Sequence, residues 1–266
     1  MILSKTKQHS ILKAEQLEIG YCTKSGVNPI CQNIDIDLEK GKLVCLLGKN
    51  GIGKSTLLRT LSKTQYRLSG SIFINQKELS TIAPTDLAKK MGLVLTEKIP
   101  DSQLTVFELV ALGRQPYTNW LGKLSSKDYE LTHKALVQVG IEEIADNKYY
   151  ELSDGQLQKV MIARALAQDT EIIILDEPTA HLDIHHKIEV FTLLQKLVKE
   201  TGKTIILSTH EVNLAIKIAD VLWLMTSEKF VSGKLQEHIS QKNFEELFPT
   251  TQIEFDRNTE QFILKK

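Results

Sequence analysis

Residues Gly48-Lys49-Asn50-Gly51-Ile52-Gly53-Lys54-Ser55-Thr56 restrict what this chain can fold into more than any other stretch. Glycines at 48, 51 and 53 let successive backbone N–H groups curl around an anion. Lys54 adds a cation suited to outer phosphates, Ser55 a hydroxyl suited to Mg2+, and a following helix would present its positive end. The pattern needs a strand before it and a helix after it. Both are there: Leu43 to Leu47 is an unbroken apolar run, and residues 54–61 carry helical periodicity. A chance match in a chain of this length is on the order of one per cent. The expectation is a phosphate loop that binds a nucleoside triphosphate through Gly48, Asn50, Gly51, Gly53, Lys54, Ser55 and Thr56.

Two more runs, residues 172–175 and 204–208, are apolar at nearly every position, as strands buried on both faces of a parallel sheet are. Helical patterns at 156–167 and 187–200 lie between and after them. The alternation predicts an α/β fold, a phosphate-loop NTPase core with a mostly parallel sheet. Residues 13–21, 33–38 and 71–75 instead alternate apolar with polar, which predicts an N-terminal antiparallel β layer. From about 105 to 168 two helical stripes, one through Val106, Leu109, Val110 and Gly113 and one through Leu131, Ala135, Leu136 and Val139, predict a helical insert. The tail QIEFDRNTEQFIL reads as a hairpin turning at Arg257-Asn258-Thr259. The expected division is a single domain: a nucleotide-binding core with its β layer at about 1–98 and 169–228, a helical subdomain at about 99–168, and a C-terminal extension at about 229–266.

The second apolar strand ends in Asp176-Glu177, at the carboxyl edge where open α/β sheets gather ligands. Asp176 suits Mg2+ held through water, and Glu177 suits orienting and deprotonating an attacking water. Two acids after a strand can also be a solvated edge or a helix N-terminal pair; their company with Lys54 favours chemistry. Leu152-Ser153-Asp154-Gly155-Gln156 opens the helix at 156–167. Ser153 with Gln156 makes a capping box, and Asp154 suits the positive helix end, yet the same turn can hold an anion. His210 follows the third strand, a position at which a lone histidine is usually structural.

Lys plus Arg equals Asp plus Glu at 33 each, so no global field draws the chain to nucleic acid. With 42% hydrophobic and 25% charged residues it can bury a sizeable core. Cys22, Cys31 and Cys45 show no metal-ligand spacing and are expected to be reduced thiols. The first ten residues carry no export pattern, and no apolar run approaches the roughly 20 residues of a membrane-spanning helix.

The order phosphate loop, LSDGQ, ILDEP, HLD and STH resembles the ATP-binding-cassette (ABC) ATPases, and the likeness runs from about residue 17 to about 247. The resemblance implies ATP and Mg2+ as cofactors, with Ser55, Asp176 and Glu97 at the metal and Glu177 and His210 in catalysis. It implies that Ser153 and Gly155 reach the γ-phosphate held by a partner subunit, with Gln156 also at the nucleotide, so that a homodimer shares two sites. It further implies that Leu182-Asp183 crosses the dimer contact, that Tyr21 stacks on adenine, and that His210 touches the γ-phosphate. Two transmembrane permease subunits, a substrate-binding protein reached indirectly, and a peripheral place on the cytoplasmic face of the inner membrane come with the same resemblance. Two positions depart from it. The family carries glutamine where Glu97 stands, which puts an added negative charge beside phosphate, with Gln103 as the nearby substitute; and Asp154 replaces the second glycine of the signature.

Residues 104–117 (LTVFELVALGRQPY) and 177–184 (EPTAHLDI) resemble importers of ferric siderophores, haem and cobalamin. In such systems the ATPase subunit never meets the cargo, so Met225, His181, His185 and His186 are not read as metal ligands. The surface around Pro116, Tyr117 and Trp120 either receives a helix of the transmembrane partner or packs within the helical insert. The competing readings are a soluble ABC ATPase in iron–sulfur assembly or another non-transport role, and a nucleotide-gated binding module with little turnover.

Overall fold

A computed structural model describes residues 10–24, 26–95, 103–248 and 252–265. Two long strands, β1 (Ser10–Thr23) and β2 (Gly26–Glu39), pair antiparallel at its start. They continue through β4 (Ser69–Ile74) and β5 (Lys77–Glu78) into a four-stranded sheet of order β2-β1-β4-β5. A second, six-stranded sheet contains β3 (Leu43–Leu47), β6 (Met91–Val94), β7 (Ile172–Leu175), β8 (Thr204–Thr209), β9 (Val221–Met225) and β10 (Phe230–Gly233), in the order β10-β9-β3-β8-β7-β6. All its pairings are parallel except that of β10 with β9. The expected layers are therefore present, and β10 carries the large sheet beyond residue 228.

The unbroken apolar strands follow from covering both faces. Leu43, Cys45, Leu47, Ile173, Leu175, Ile205 and Leu207 point to one core, while Val44, Leu46, Ile172, Ile174 and Ile206 point to the other. The second core is closed by α1 (Lys54–Leu61), by Leu87 of α2 (Pro84–Ala88), and by the alternating inner residues of the small sheet, among them Leu12, Leu17, Ile34 and Ile36. The first is closed by α3 (Val106–Ala111), α4 (Ser126–Val139), α5 (Asp154–Ala167) and α6 (Ile184–Thr201).

Capping boxes start α3 (Thr105 with Glu108), α4 (Ser125 with Asp128) and α5 (Ser153 with Gln156), so each helix begins where a side chain takes up its orphan amides. Between α3 and α4, Arg114 is buried: its Nε donates to Asp128 Oδ1 at 2.8 Å, its Nη1 to the Ala167 carbonyl at 2.7 Å, and its guanidinium lies 4.0 Å from the Tyr117 ring centre. One side chain thereby ties α4, the end of α5 and the turn after α3. Gly113, expected as part of an apolar stripe, has a different task. A Cβ there would sit 2.2 Å from the Arg164 carbonyl oxygen, so only glycine lets this turn approach α5 so closely.

Beyond α7 (Val212–Ile218), α8 (Leu235–Ser240) and α9 (Asn243–Leu247) lead to the hairpin of β11 (Ile253–Asp256) and β12 (Gln261–Leu264), which turns over the three residues expected plus Glu260. Phe244 stacks on Phe255 at 4.4 Å and meets Phe262 edge-on. Asn243 Nδ2 contacts the buried His238 Nδ1 at 3.1 Å, and His238 Nε2 reaches the Leu222 carbonyl at 3.0 Å. An amide nitrogen only donates and a carbonyl only accepts, so this ring is neutral with its proton on Nε2. Burial accordingly holds its pKa down. Among the described residues no helix is long and apolar enough to cross a membrane.

Candidate active site

The strands β3, β8 and β7 are neighbours and run parallel, with Leu47 opposite Thr209 and Leu175 opposite Leu207. Their following loops consequently leave one edge side by side. After β3 comes the phosphate loop. Gly53, at φ 113°, is the N-cap of α1, and no side chain caps that helix, which leaves its first amides for a ligand. A Cβ at Gly48 would lie 2.6 Å from the Met225 carbonyl oxygen, so the loop can lie this low against β9 only with glycine there. Asn50 and Gly51 sit exposed on its rim, while Lys54 and Thr56 are buried. Lys54 Nζ donates to the carbonyls of Gly48 (3.0 Å) and Lys49 (3.3 Å) and lies 3.4 Å from Glu177 Oε1.

After β7 comes the acid pair. Asp176 is 2% exposed, and its Oδ1 accepts from Ser55 Oγ at 3.0 Å and Ser208 Oγ at 2.6 Å. Ser208 Oγ also accepts from the Glu177 amide at 2.9 Å, so one hydroxyl holds both acids. Glu177 has φ 46°, a backbone region that non-glycine residues seldom occupy and that clusters at functional sites. After β8, His210 places Nδ1 3.9 Å from Glu177 Oε2 and Nε2 3.3 Å from Glu211 Oε1, and Glu211 in turn pairs with Lys187. Sequence reasoning passed over Ser208. Its signal was a hydroxyl closing the apolar run of 204–208, one strand away from the acid pair.

A carboxylate this deeply buried normally has a counter-charge. Among the described residues Asp176 has no cation within ion-pair distance, only hydroxyls, one of them from Ser55. An oxygen-only donor set with an uncompensated negative charge fits a hard divalent ion such as Mg2+.

The remaining expected residues divide into two places. Tyr21 is half exposed and its OH lies 3.0 Å from Thr56 Oγ1, which joins it to the start of α1. Ser153, Gly155 and Gln156 lie on the α5 turn, where Ser153 Oγ accepts from the Gln156 amide at 3.3 Å and Gln156 Oε1 accepts from the Ser153 amide at 3.0 Å. The capping reading of this turn is thus realised, and Asp154 is exposed on it. Asp183 caps α6, its Oδ1 accepting from the His186 amide and its Oδ2 from His186 Nδ1, both at 2.9 Å. Those bonds hold the Asp183 carboxyl below its usual pKa. The His186 ring rests on Gly155, so Asp183 and the α5 turn are joined within one chain. Glu97 lies outside the described residues. Gln103 is exposed, with its carbonyl accepting from Lys148 Nζ at 2.9 Å.

A family model described as ABC transporter matches residues 31–180, which contain the phosphate loop, the α5 turn and the acid pair. The chain belongs to the ABC transporter family. It is similar to the iron(3+)-hydroxamate import ATP-binding protein of Bacillus subtilis, at 40% identity over 208 residues, 78% of this chain and 76% of that protein. Among solved structures it is similar to a chain of an inward-facing transporter assigned to the metal-chelate ABC type, with TM-score 0.78, 29% identity, and 96% and 95% of the two chains covered. It is also similar to a dimeric ABC cassette in a post-hydrolysis state with ADP and Pi, with TM-score 0.71, 27% identity, and 84% and 98% covered. As an ABC ATPase subunit this chain binds ATP, and cassettes of the family act as dimers with transmembrane permeases.

Proposed function

We infer that this ABC chain hydrolyses ATP to drive uptake of a ferric siderophore, haem or cobalamin, with a ferric siderophore favoured, through a pair of permease subunits it meets on the cytoplasmic face of the membrane. The observation that carries the ATPase reading is the convergence of Lys54, Ser55, Asp176, Glu177 and His210 at the ends of three adjacent parallel strands. Bound MgATP supplies the γ-phosphoryl group and a metal that neutralises its charge. The chain's own groups do the rest. Phosphate-loop amides and Lys54 hold the β- and γ-phosphates, and Ser55 with Asp176 would hold the metal. Glu177 takes the proton of the attacking water, and His210 steadies the terminal phosphate oxygens beside it. Ser208 keeps both acids in place. Tyr21 offers its ring to the adenine. Ser153, Gly155, Gln156 and Asp183 would complete the site of a second copy, so the homodimer is the hydrolysing unit and ATP binding closes it.

The cargo class is supported by the likeness to the iron(3+)-hydroxamate import protein of Bacillus subtilis and by the stretch 104–117. A strain lacking this chain is expected to lose uptake of radiolabelled ferric chelate and regain it with the intact gene. Uptake at the parental rate in the deletion strain counts against this cargo.

Lys54→Ala is expected to cut ATP affinity at least about tenfold with an unchanged fold, because it removes the cation that the loop places for the outer phosphates. Equilibrium titration with a fluorescent ATP analogue, beside a circular dichroism melt, tests this; unchanged affinity sinks the assignment. Trp120 is 91% exposed and Tyr117 38%, and Pro116, next to Tyr117 in the chain, lines a cavity of about 210 Å³ with Leu112, Met161 and Arg164. We assign the permease helix to this face. A photo-crosslinker at Trp120 is expected to capture the permease in membranes, and labelling confined to other partners would overturn that assignment.

A further inference from the structure

Helix α6 opens with His185-His186 and carries Glu189 one turn later, and each of the three offers a ligand atom within 4.8 Å of the others. We propose that His185, His186 and Glu189 bind a divalent first-row transition ion, at a site distinct from the one at Ser55 and Asp176. From sequence His185 and His186 are not read as metal ligands; the first turn of α6 brings them together with Glu189.

Two imidazoles and one carboxylate suit Zn2+, Fe2+, Co2+ or Ni2+, and not Mg2+ or Ca2+, which take oxygen donors. Ligand bonds of about 2.0–2.1 Å place two tetrahedral donors about 3.3 Å apart. His185 Nδ1 and Glu189 Oε1 are already 3.5 Å apart, on the i and i+4 positions of one helix face. The other carboxylate oxygen, Glu189 Oε2, is held by Lys159 Nζ at 3.1 Å, which orients Glu189 and leaves Oε1 for an ion.

His186 has the outer partner that metal-binding imidazoles carry. Asp183 Oδ2 lies 2.9 Å from its Nδ1, and a carboxylate can only accept, so Nδ1 carries a proton and Nε2 is the ring nitrogen left for an ion. A cation at the start of a helix opposes the helix dipole. Asp183 and Glu189 offset that with two negative charges, one of them shared with Lys159. An open groove of about 370 Å³, lined in part by Lys159, His185, Ile188 and Glu189, provides a path from solvent.

The site also touches the α5 turn. The His186 ring lies so close that a Cβ on Gly155 would be 2.6 Å from its Cδ2. An ion that fixes His186 therefore fixes the Ser153–Gln156 turn against α6. On the dimer reading above, that turn must move up to the partner's ATP as the dimer closes, and an ion that pins it to α6 opposes that movement, so the bound ion is expected to slow hydrolysis. The binding itself does not depend on that reading.

The test is calorimetric titration of Zn2+ into the full chain, free of nucleotide and Mg2+, near pH 7. A saturable site is expected, weakened at least about tenfold in His185→Ala and in Glu189→Gln. Equal affinity in both variants, or no saturable binding, overturns the proposal. Because a variant can misfold, Co2+ is also titrated into the unaltered chain. Visible d–d absorption of mixed nitrogen and oxygen ligation, displaced by Zn2+, supports the site; a spectrum of hydrated Co2+ alone overturns it. For the regulatory half, Zn2+ is expected to slow ATP turnover at least about threefold in the unaltered chain and to spare His185→Ala. Binding without slowing overturns that half. A chain that binds Zn2+ and never hydrolyses ATP leaves the metal site standing and sinks the proposed function instead.

Discussion

Replacing Glu177 by glutamine is expected to leave ATP binding intact while hydrolysis falls at least about tenfold, and up to the roughly 100- to 10,000-fold that general bases contribute. Glutamine preserves the shape and the backbone that Ser208 holds through the Glu177 amide, but it cannot take a proton. It also removes a negative charge 3.4 Å from Lys54, so no carboxylate then competes with phosphate for that cation. ATP should then bind without being consumed, and the dimer should persist. Phosphate release under single-turnover conditions and size exclusion in MgATP measure the two halves. Near-normal turnover would remove Glu177 from the role of base.

Replacing Arg114 by alanine is expected to have the largest effect on stability, about 3–5 kcal/mol, because it strands a buried carboxylate. That corresponds to a melting temperature lower by roughly 10 °C for a domain of this size. Arg114 and Asp128 side chains are 3% and 7% exposed, so neither can turn to water for compensation. Burial alone would raise the Asp128 pKa; hydrogen bonds from Ser125 and Arg114 outweigh it and hold the value at about 2. Since the folded value lies below the unfolded value of about 3.9, the stabilisation is present above roughly pH 4 and is lost as pH falls through about 2. Thermal unfolding at neutral pH is the measurement, and an unchanged melting temperature contradicts the assignment. Arg114→Met with Asp128→Leu together should cost less than Arg114→Ala alone, because no unpaired charge remains.

Much of this molecule was legible from sequence for a simple reason. Strands buried on both faces have no polar positions to disguise them, so Leu43–Leu47 and Ile172–Leu175 begin and end where their apolar runs do. Ser153 with Gln156 likewise marks a helix start that the structure realises. Local pattern was less informative where a residue's partner is distant in sequence. Arg114 and Asp128 lie on different elements, and Arg114 binds a carbonyl 53 residues on. Gly113 matched a helical stripe but serves a close backbone approach.

By itself the sequence determined the class of fold, the phosphate loop, the acid pair and the likeness to ABC ATPases. Each of these is written in contiguous residues whose backbone needs or periodicity are local. Tertiary structure alone decided that β3, β8 and β7 are neighbours, that Ser208 holds both acids, and that His186 rests on Gly155. Those facts depend on which strands and helices pack side by side. That choice is made by burial of two whole cores at once, and no short window of sequence carries it.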